Sequence, residues 1–211
     1  ARLEDGSRVH IVLPPISLDG PIITIRKFPE VISMERMISY GTLSEECAKF
    51  LEVLVCAGYN IFISGGTNSG KTTFLNALSS YIPKSERVIT IEDSAELQLM
   101  HIKNIVRLET KNATLSGDGS IGIGDLIRAS LRMNPDRIIV GEVRGREALD
   151  MLQAMNTGHD GSLTTLHAGT AQEAILRLVL MTRFGMDLPA EIIEQQIATA
   201  LDLIVMSQRF P

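Results

Sequence analysis

The sequence predicts an α/β fold in which a mostly parallel sheet carries helices on both faces. Three observations predict it. Short apolar stretches with a period of two alternate along the chain with longer segments whose apolar period is near 3.6, the pattern of parallel strands joined by crossover helices. A glycine-rich loop stands between one such strand and the helix after it. A length of 211 residues suits one large core, or a large domain with a fragment of a second.

Residues 1–28 alternate in strand fashion through Ser7–Leu13, turn at Pro14-Pro15 and resume at Pro21–Arg26. A hairpin alone cannot hold a core. With Ala1 almost in mid-strand, the segment is expected to be the tail of a smaller amino-terminal domain, followed by a linker over residues 29–37 and the main domain over 38–211. Thr42-Leu43-Ser44-Glu45 reads as a capping box. Cys47, Phe50, Leu51, Leu54 and Val55 then mark one helix face, and Gly58 ends it.

The spacing next predicts a strand over 60–64, a helix over 71–81, and strands over 87–91 and 104–108. Residues 117–124 form a flexible glycine-rich loop. A helix over 125–133 stops before Pro135, a strand follows over 137–140, and a helix over 146–157 ends at Gly158. A strand over 162–166 comes next. Thr170-Ala171-Gln172-Glu173 caps a helix running to Arg183, Pro189 opens another, and 203–206 is a last apolar strand.

Lys plus Arg total 20 against 25 Asp plus Glu, a formal net charge of -5. Such a chain lacks the positive field of a non-specific nucleic-acid binder, and no basic run is interleaved with aromatics. Cys47 and Cys56 match neither a disulfide framework nor a four-thiolate zinc site, and both are expected to be reduced core residues of a cytosolic protein. No apolar run approaches the length of a membrane span and no leader opens the chain, so membrane association is expected to run through a partner.

Gly65-Gly66-Thr67-Asn68-Ser69-Gly70-Lys71-Thr72 fits G-x-x-x-x-G-K-[ST] between a strand and a helix, and Thr73 follows within the same turn. Glycines let the backbone curl until successive N–H groups and the helix N-terminus face a β-phosphate. Lys71 neutralises the β and γ oxygens, and Thr72 supplies a hydroxyl ligand for Mg²⁺. ATP and Mg²⁺ are the expected ligands. Arg137-Ile138-Ile139-Val140-Gly141-Glu142 is an apolar strand ending in an acid, which aims the Glu142 carboxylate at the metal. Ile89-Thr90-Ile91-Glu92-Asp93-Ser94-Ala95-Glu96 puts three acids where an open α/β sheet has its ligand crevice, unless they form only a solvated turn. His159 and His167 bracket the strand over 162–166, as functional groups or as structural ones.

These four stretches, in this order, closely resemble the Walker A, Asp box, Walker B and His box of the type II/type IV secretion ATPase superfamily. The resemblance runs from the hairpin to Pro211. Asp5-Gly6-Ser7-Arg8-Val9-His10, Leu13-Pro14-Pro15 and Thr24-Ile25-Arg26-Lys27 look most like the branch serving tight-adherence (Flp) pili and its VirB11 relatives. Two departures stand out. Ser94 occupies a position where many relatives have proline, and the tetracysteine zinc motif of many type II secretion ATPases is absent.

The resemblance implies a RecA-like P-loop NTPase core, a cytoplasmic homo-hexameric ring motor for pilus assembly or protein secretion, and an inner-membrane platform protein as partner, with no direct role for nucleic acid. It makes Glu96 the acid that serves the attacking water and Glu142 the Mg²⁺-side carboxylate. His159 and His167 would lie near the γ-phosphate or a subunit boundary. Arg8 and Arg26 would be charge-stabilising arginines reaching in from the amino-terminal domain. A nucleic-acid translocase on the same core and a slow nucleotide-dependent binding switch are the alternatives.

Overall fold

The computed structural model describes residues 3, 7–27, 31–111 and 119–209. Asp5 and Gly6, the linker positions Pro29 and Glu30, and the loop positions Gly117 and Asp118 lie outside the described residues. The chain divides into two compact units, Ala1–Val31 and Ile32–Pro211.

In the first unit, β1 (Arg8–Val12) and β2 (Ile22–Arg26) pair as an antiparallel hairpin, with Arg8 opposite Arg26 and Val12 opposite Ile22. A two-stranded ribbon is too thin to bury both faces, and Ile22, Ile23 and Ile25 are all exposed.

The second unit holds a six-stranded sheet of β3 (Ile61–Gly65), β4 (Arg87–Glu92), β5 (Asn104–Glu109), β6 (Arg137–Val143), β7 (Leu163–Leu166) and β8 (Leu203–Ser207). The spatial order is β5-β4-β6-β7-β3-β8 and every pair is parallel. Helices α1 (Met34–Ser39) and α2 (Glu45–Cys56) precede β3. Parallel strands need crossovers, most of which the other helices supply: α3 (Lys71–Leu78) between β3 and β4, α4 (Ile123–Ser130) between β5 and β6, α5 (Glu147–Asn156) between β6 and β7, and α6 (Ala171–Gly185) with α7 (Ala190–Ala200) between β7 and β8.

Alternation along each strand sorts the core into two layers. Ile61, Ile63, Val88, Ile139 and Leu163 join a cluster with residues of α1, α2 and α3, including Met34, Leu51 and Leu75. Phe62, Ile89, Ile91, Ile138 and Val140 face the other way and pack with residues of α4 to α7, including Ile127, Leu152, Leu178 and Ile193. Central strands therefore read as continuous apolar runs, as a sheet covered on both faces requires.

Three expectations are corrected. Part of the linker expected over 29–37 is helical. Ser33 caps α1 by accepting from the Arg36 N–H at 3.3 Å, and Met34 and Met37 are buried in the core. The buried stripe of α2 is Ala48, Leu51 and Val55, while Phe50 is 57% exposed, because α2 packs against α1 and α3 through its small Ala48 side. For the same reason Cys47 and Cys56 are exposed thiols and not core residues.

The amino ends of the central strands are tied by buried polar groups. Asn60 accepts from the Ser162 N–H at 2.9 Å, donates to the Ala200 carbonyl at 2.8 Å, and its own N–H donates to Asp202 at 2.8 Å. Arg137, 3% exposed, donates to the Val55 carbonyl at 2.6 Å and to Glu86 at 3.0 Å. A side chain at Gly161 would strike that guanidinium at 2.5 Å, so this turn requires glycine.

Candidate active site

Strand β3 ends at Gly65 and α3 begins at Lys71, so the glycine-rich loop emerges from the carboxyl edge of the sheet. Gly65 pairs with Ser207 of β8, and a Cβ there would lie 2.2 Å from the Ser207 carbonyl oxygen. Asn68 and Gly70 take left-handed backbone at φ 58 and φ 88, which curls the loop over the end of the strand. The Ser207 hydroxyl donates to the Ser69 carbonyl at 2.6 Å and pins the curl.

Helix α3 opens at Gly70 without a side-chain cap, and its first intrahelical bond runs from the Phe74 N–H to the Gly70 carbonyl. The Lys71, Thr72 and Thr73 amides precede that bond and lie in the turn where helix N–H groups are orphaned and the dipole is positive. The Lys71 ammonium bonds the Gly65 and Gly66 carbonyls of its own loop at 3.0 and 2.6 Å. Burial pulls its pKa down, the Glu142 carboxylate opposes this, and the Arg144 guanidinium adds to it. Among the described residues the buried Ser69 hydroxyl oxygen has no partner. Uncapped amides, an ammonium and an orphaned hydroxyl are a donor set that fits a polyphosphate. The Thr72 hydroxyl and the Glu142 carboxylate are oxygen donors of the kind that Mg²⁺ takes.

One strand, β7, separates β3 from β6, and the carboxyl ends of all three converge here. His167 follows β7 directly. Its Nδ1 lies 3.5 Å from Lys71 Nζ and its Nε2 3.4 Å from the Thr67 hydroxyl, with donor and acceptor set by the tautomer. Arg177 of α6 donates to the His167 carbonyl.

Glu142 closes the β6 side, where Arg144 Nη2 donates to its carboxylate at 2.6 Å and Arg144 Nη1 reaches Asp93 at 3.3 Å. Arg144 thus bridges the two acid-bearing strand ends. It is a residue that motif reading missed, although it stands only two residues after Glu142, just past the end of β6. On the β4 side Glu92 is buried, and one of its carboxylate oxygens accepts from the Glu96 N–H at 2.9 Å and the Leu97 N–H at 3.1 Å. Glu96 is half-buried at the close of that loop.

Not every expected residue gathers at this edge. His159 precedes β7 and lies at the amino edge, beside the Asn60 and Arg137 ties, so the strand separates it from the loop by roughly 13 Å. Its expected place near a γ-phosphate is corrected: residues bracketing one strand stand at opposite ends of it. Arg8 and Arg26 face each other across the hairpin of the first unit, like charges in directly opposed positions.

The family model for type II/IV secretion system protein matches residues 1–210. A protein of Methanocaldococcus jannaschii is 47% identical over 171 residues, 77% of this chain and 23% of its own length. Conjugal transfer protein TrbB of Rhizobium radiobacter is 36% identical over 208 residues, 97% of this chain and 61% of its own. This chain therefore spans only part of these relatives. Among solved structures, the VirB11 ATPase of the Brucella suis type IV secretion system superposes with TM-score 0.70 at 32% identity, over 98% of this chain and 67% of that one. The pilus retraction motor PilT with bound ADP superposes with TM-score 0.70 at 27% identity, over 96% of this chain and 59% of that one. With the motif order, the parallel sheet and the family model all in agreement, the chain belongs to the type II/IV secretion system protein family.

Proposed function

We propose that the chain is the nucleotide-hydrolysing part of a motor for pilus assembly or protein secretion, in the branch that includes tight-adherence and VirB11-type proteins. The observation that carries this reading is the convergence of an uncapped helix N-terminus, Lys71, His167 and Glu142 at one edge of a parallel sheet. Residues 1–28 then belong to an amino-terminal domain and 38–211 to the catalytic one. The working form is a cytoplasmic homo-hexamer on an inner-membrane platform protein. Among the described residues no helix is long and apolar enough to cross a membrane.

In this reading the loop amides and Lys71 bind the β and γ phosphates of ATP. Bound Mg²⁺ would neutralise phosphate charge, and Thr72 and Glu142 hold it. For Glu142 this means exchanging its Arg144 contact for the cation. Glu96 orients the attacking water and accepts its proton. His167, against both Lys71 and Thr67, sits where it senses the loop's occupancy. His159 keeps a place at a subunit boundary. Arg8 and Arg26 are the arginines that stabilise charge on the transferred phosphoryl group, a task suited to the fixed, always-charged fork of a guanidinium.

The test compares nucleotide affinity and steady-state turnover in the full-length protein. Lys71→Ala is expected to weaken ATP binding by on the order of tenfold or more, since charge-assisted contacts are lost. Glu96→Gln is expected to keep ATP bound and slow its cleavage by roughly 10²-fold. Glu142→Gln is expected to raise the Mg²⁺ concentration needed for activity. Unchanged affinity in Lys71→Ala overturns the site. Equal, mild effects of the two glutamate variants overturn their separate roles.

A further inference from the structure

We infer that Glu92 is a positioning residue for the reaction, its buried carboxylate setting Glu96 and Glu142 at a fixed spacing from one another. The inference rests on the roles proposed above for those two acids.

Glu92 is the last residue of β4 and only 4% exposed. A carboxylate this deep is uncommon unless hydrogen bonds hold it. Two do so, from the Glu96 and Leu97 peptides at 2.9 and 3.1 Å, and they close residues 92–97 into a loop around a single oxygen. The donor is the backbone of Glu96 itself, so this bond sets where the Glu96 Cα, and hence its side chain, begins.

The same side chain reaches the neighbouring strand. A Cβ built on Gly141 would meet Glu92 Cγ at 3.0 Å and its Oε1 at 3.5 Å, so the Glu92 side chain lies directly on the backbone that precedes Glu142. From the opposite side the Thr165 hydroxyl donates to the Gly141 carbonyl at 2.7 Å. Gly141 is clamped between Glu92 of β4 and Thr165 of β7. One buried carboxylate therefore touches both acid-bearing segments, and a shift in it moves them together.

Four variants of the full-length protein test this: Glu92→Ala, Glu92→Gln, Gly141→Ala and Glu96→Gln. Glu92→Ala removes the acceptor. It is expected to lower kcat by on the order of 10²-fold, the size of effect that small misplacements of reacting groups produce, with KM and nucleotide affinity within about threefold. Amide hydrogen exchange at residues 96 and 97 should accelerate in step. Glu92→Gln keeps an acceptor oxygen and should restore both readouts to within about threefold of wild type. Gly141→Ala displaces the Glu92 side chain without opening a cavity, and keeps the test available if Glu92→Ala fails to fold; it should reproduce the kcat loss in milder form.

Unchanged exchange at residues 96 and 97 in both Glu92→Ala and Gly141→Ala overturns the inference. So does a kcat loss matched by an equal loss of nucleotide affinity, or a Glu92→Gln variant as slow as Glu92→Ala. Glu96→Gln separates the two levels of the argument. If it turns over normally, the role of Glu96 falls, and the exchange readout alone then decides whether Glu92 holds this loop.

Discussion

Burial raises the Glu92 carboxyl from 4.5 to about 7, a shift that the Glu96 carboxylate increases and that the Glu96 and Leu97 N–H bonds and Arg107 only partly offset. The folded protein therefore binds the Glu92 proton more tightly than the unfolded chain does. Its contribution to stability is fully present below pH 4.5 and is lost as pH rises through 7. At about 1.4 kcal/mol per unit, the shift corresponds to roughly 3 kcal/mol over the whole window, of which about 2.5 kcal/mol falls between pH 5 and 8. Replacing Glu92 by Gln removes the titration and keeps the acceptor. Urea unfolding of wild type and Glu92→Gln at pH 5, 6, 7 and 8 measures the effect as a difference, so every other titrating group cancels. Wild type should lose about 2.5 kcal/mol relative to the variant across that range. Parallel stability curves for the two proteins, or a wild type that gains on the variant as pH rises, would refute the reasoning.

Two further predictions concern the packing of the glycine-rich loop and the proposed role of the hairpin arginines. Gly65→Ala places a methyl 2.2 Å from a backbone oxygen that cannot rotate away, so the β3–β8 pairing must open. A loss of about 1–3 kcal/mol, with reduced nucleotide affinity, is expected in thermal melts and binding titrations, and an unchanged Tm counts against it. In the full-length protein Arg8→Ala or Arg26→Ala should lower turnover by at least about tenfold while ATP affinity shifts much less, as for a charge that acts only on the transition state. Turnover within twofold of wild type for both single variants and the double variant would make them ordinary hairpin arginines.

How much of this was readable in the sequence depends on how far apart the interacting groups lie along the chain. The glycine-rich loop, its flanking strand and its helix are contiguous, and their chemistry is written in neighbouring residues. The Glu142 strand was readable too, as an apolar run with one acid at its end. Most element boundaries agree with expectation to a residue or two, because caps such as Ser44 and Thr170 are local features, but β6 runs three residues past its expected end and α3 and α4 stop three residues short of theirs. What was not readable joins distant positions. Asn60 bonds to Ala200 and Asp202, about 140 residues away. The face of α2 depends on what α1 and α3 present to it, and periodicity alone left it one residue out of phase. The four residues at 34–37 offer only Met34 and Met37 as an apolar pair, too little to announce a helix that tertiary packing then stabilises. His159 was misplaced although chain direction already separated the two histidines: ligands meet an open α/β sheet at the carboxyl ends of its strands, and His159 precedes β7 while His167 follows it.

The end of β6 shows why three acids in two segments can serve different ends. Against β7 its register runs from Val140 opposite Thr164 to Val143 opposite Leu166, so β6 carries one residue more than its partner over this stretch. A bulge of this kind breaks the ladder and re-aims the side chains within it. It falls on Gly141 and Glu142, and the Gly141 carbonyl, left out of the ladder, takes its hydrogen bond from the Thr165 side chain instead. Because the strand is free of the ladder there, Glu142 turns to the carboxyl edge, where Arg144 and the field of Lys71 meet it. Glu92, one strand over, pairs in register with Glu109 of β5 and is buried. In β4 the regular end leaves Glu92 a buried acceptor, while in β6 the register shift lies beside Glu142. Both strands end in an apolar run and an acid, and the backbone register decides between the two outcomes.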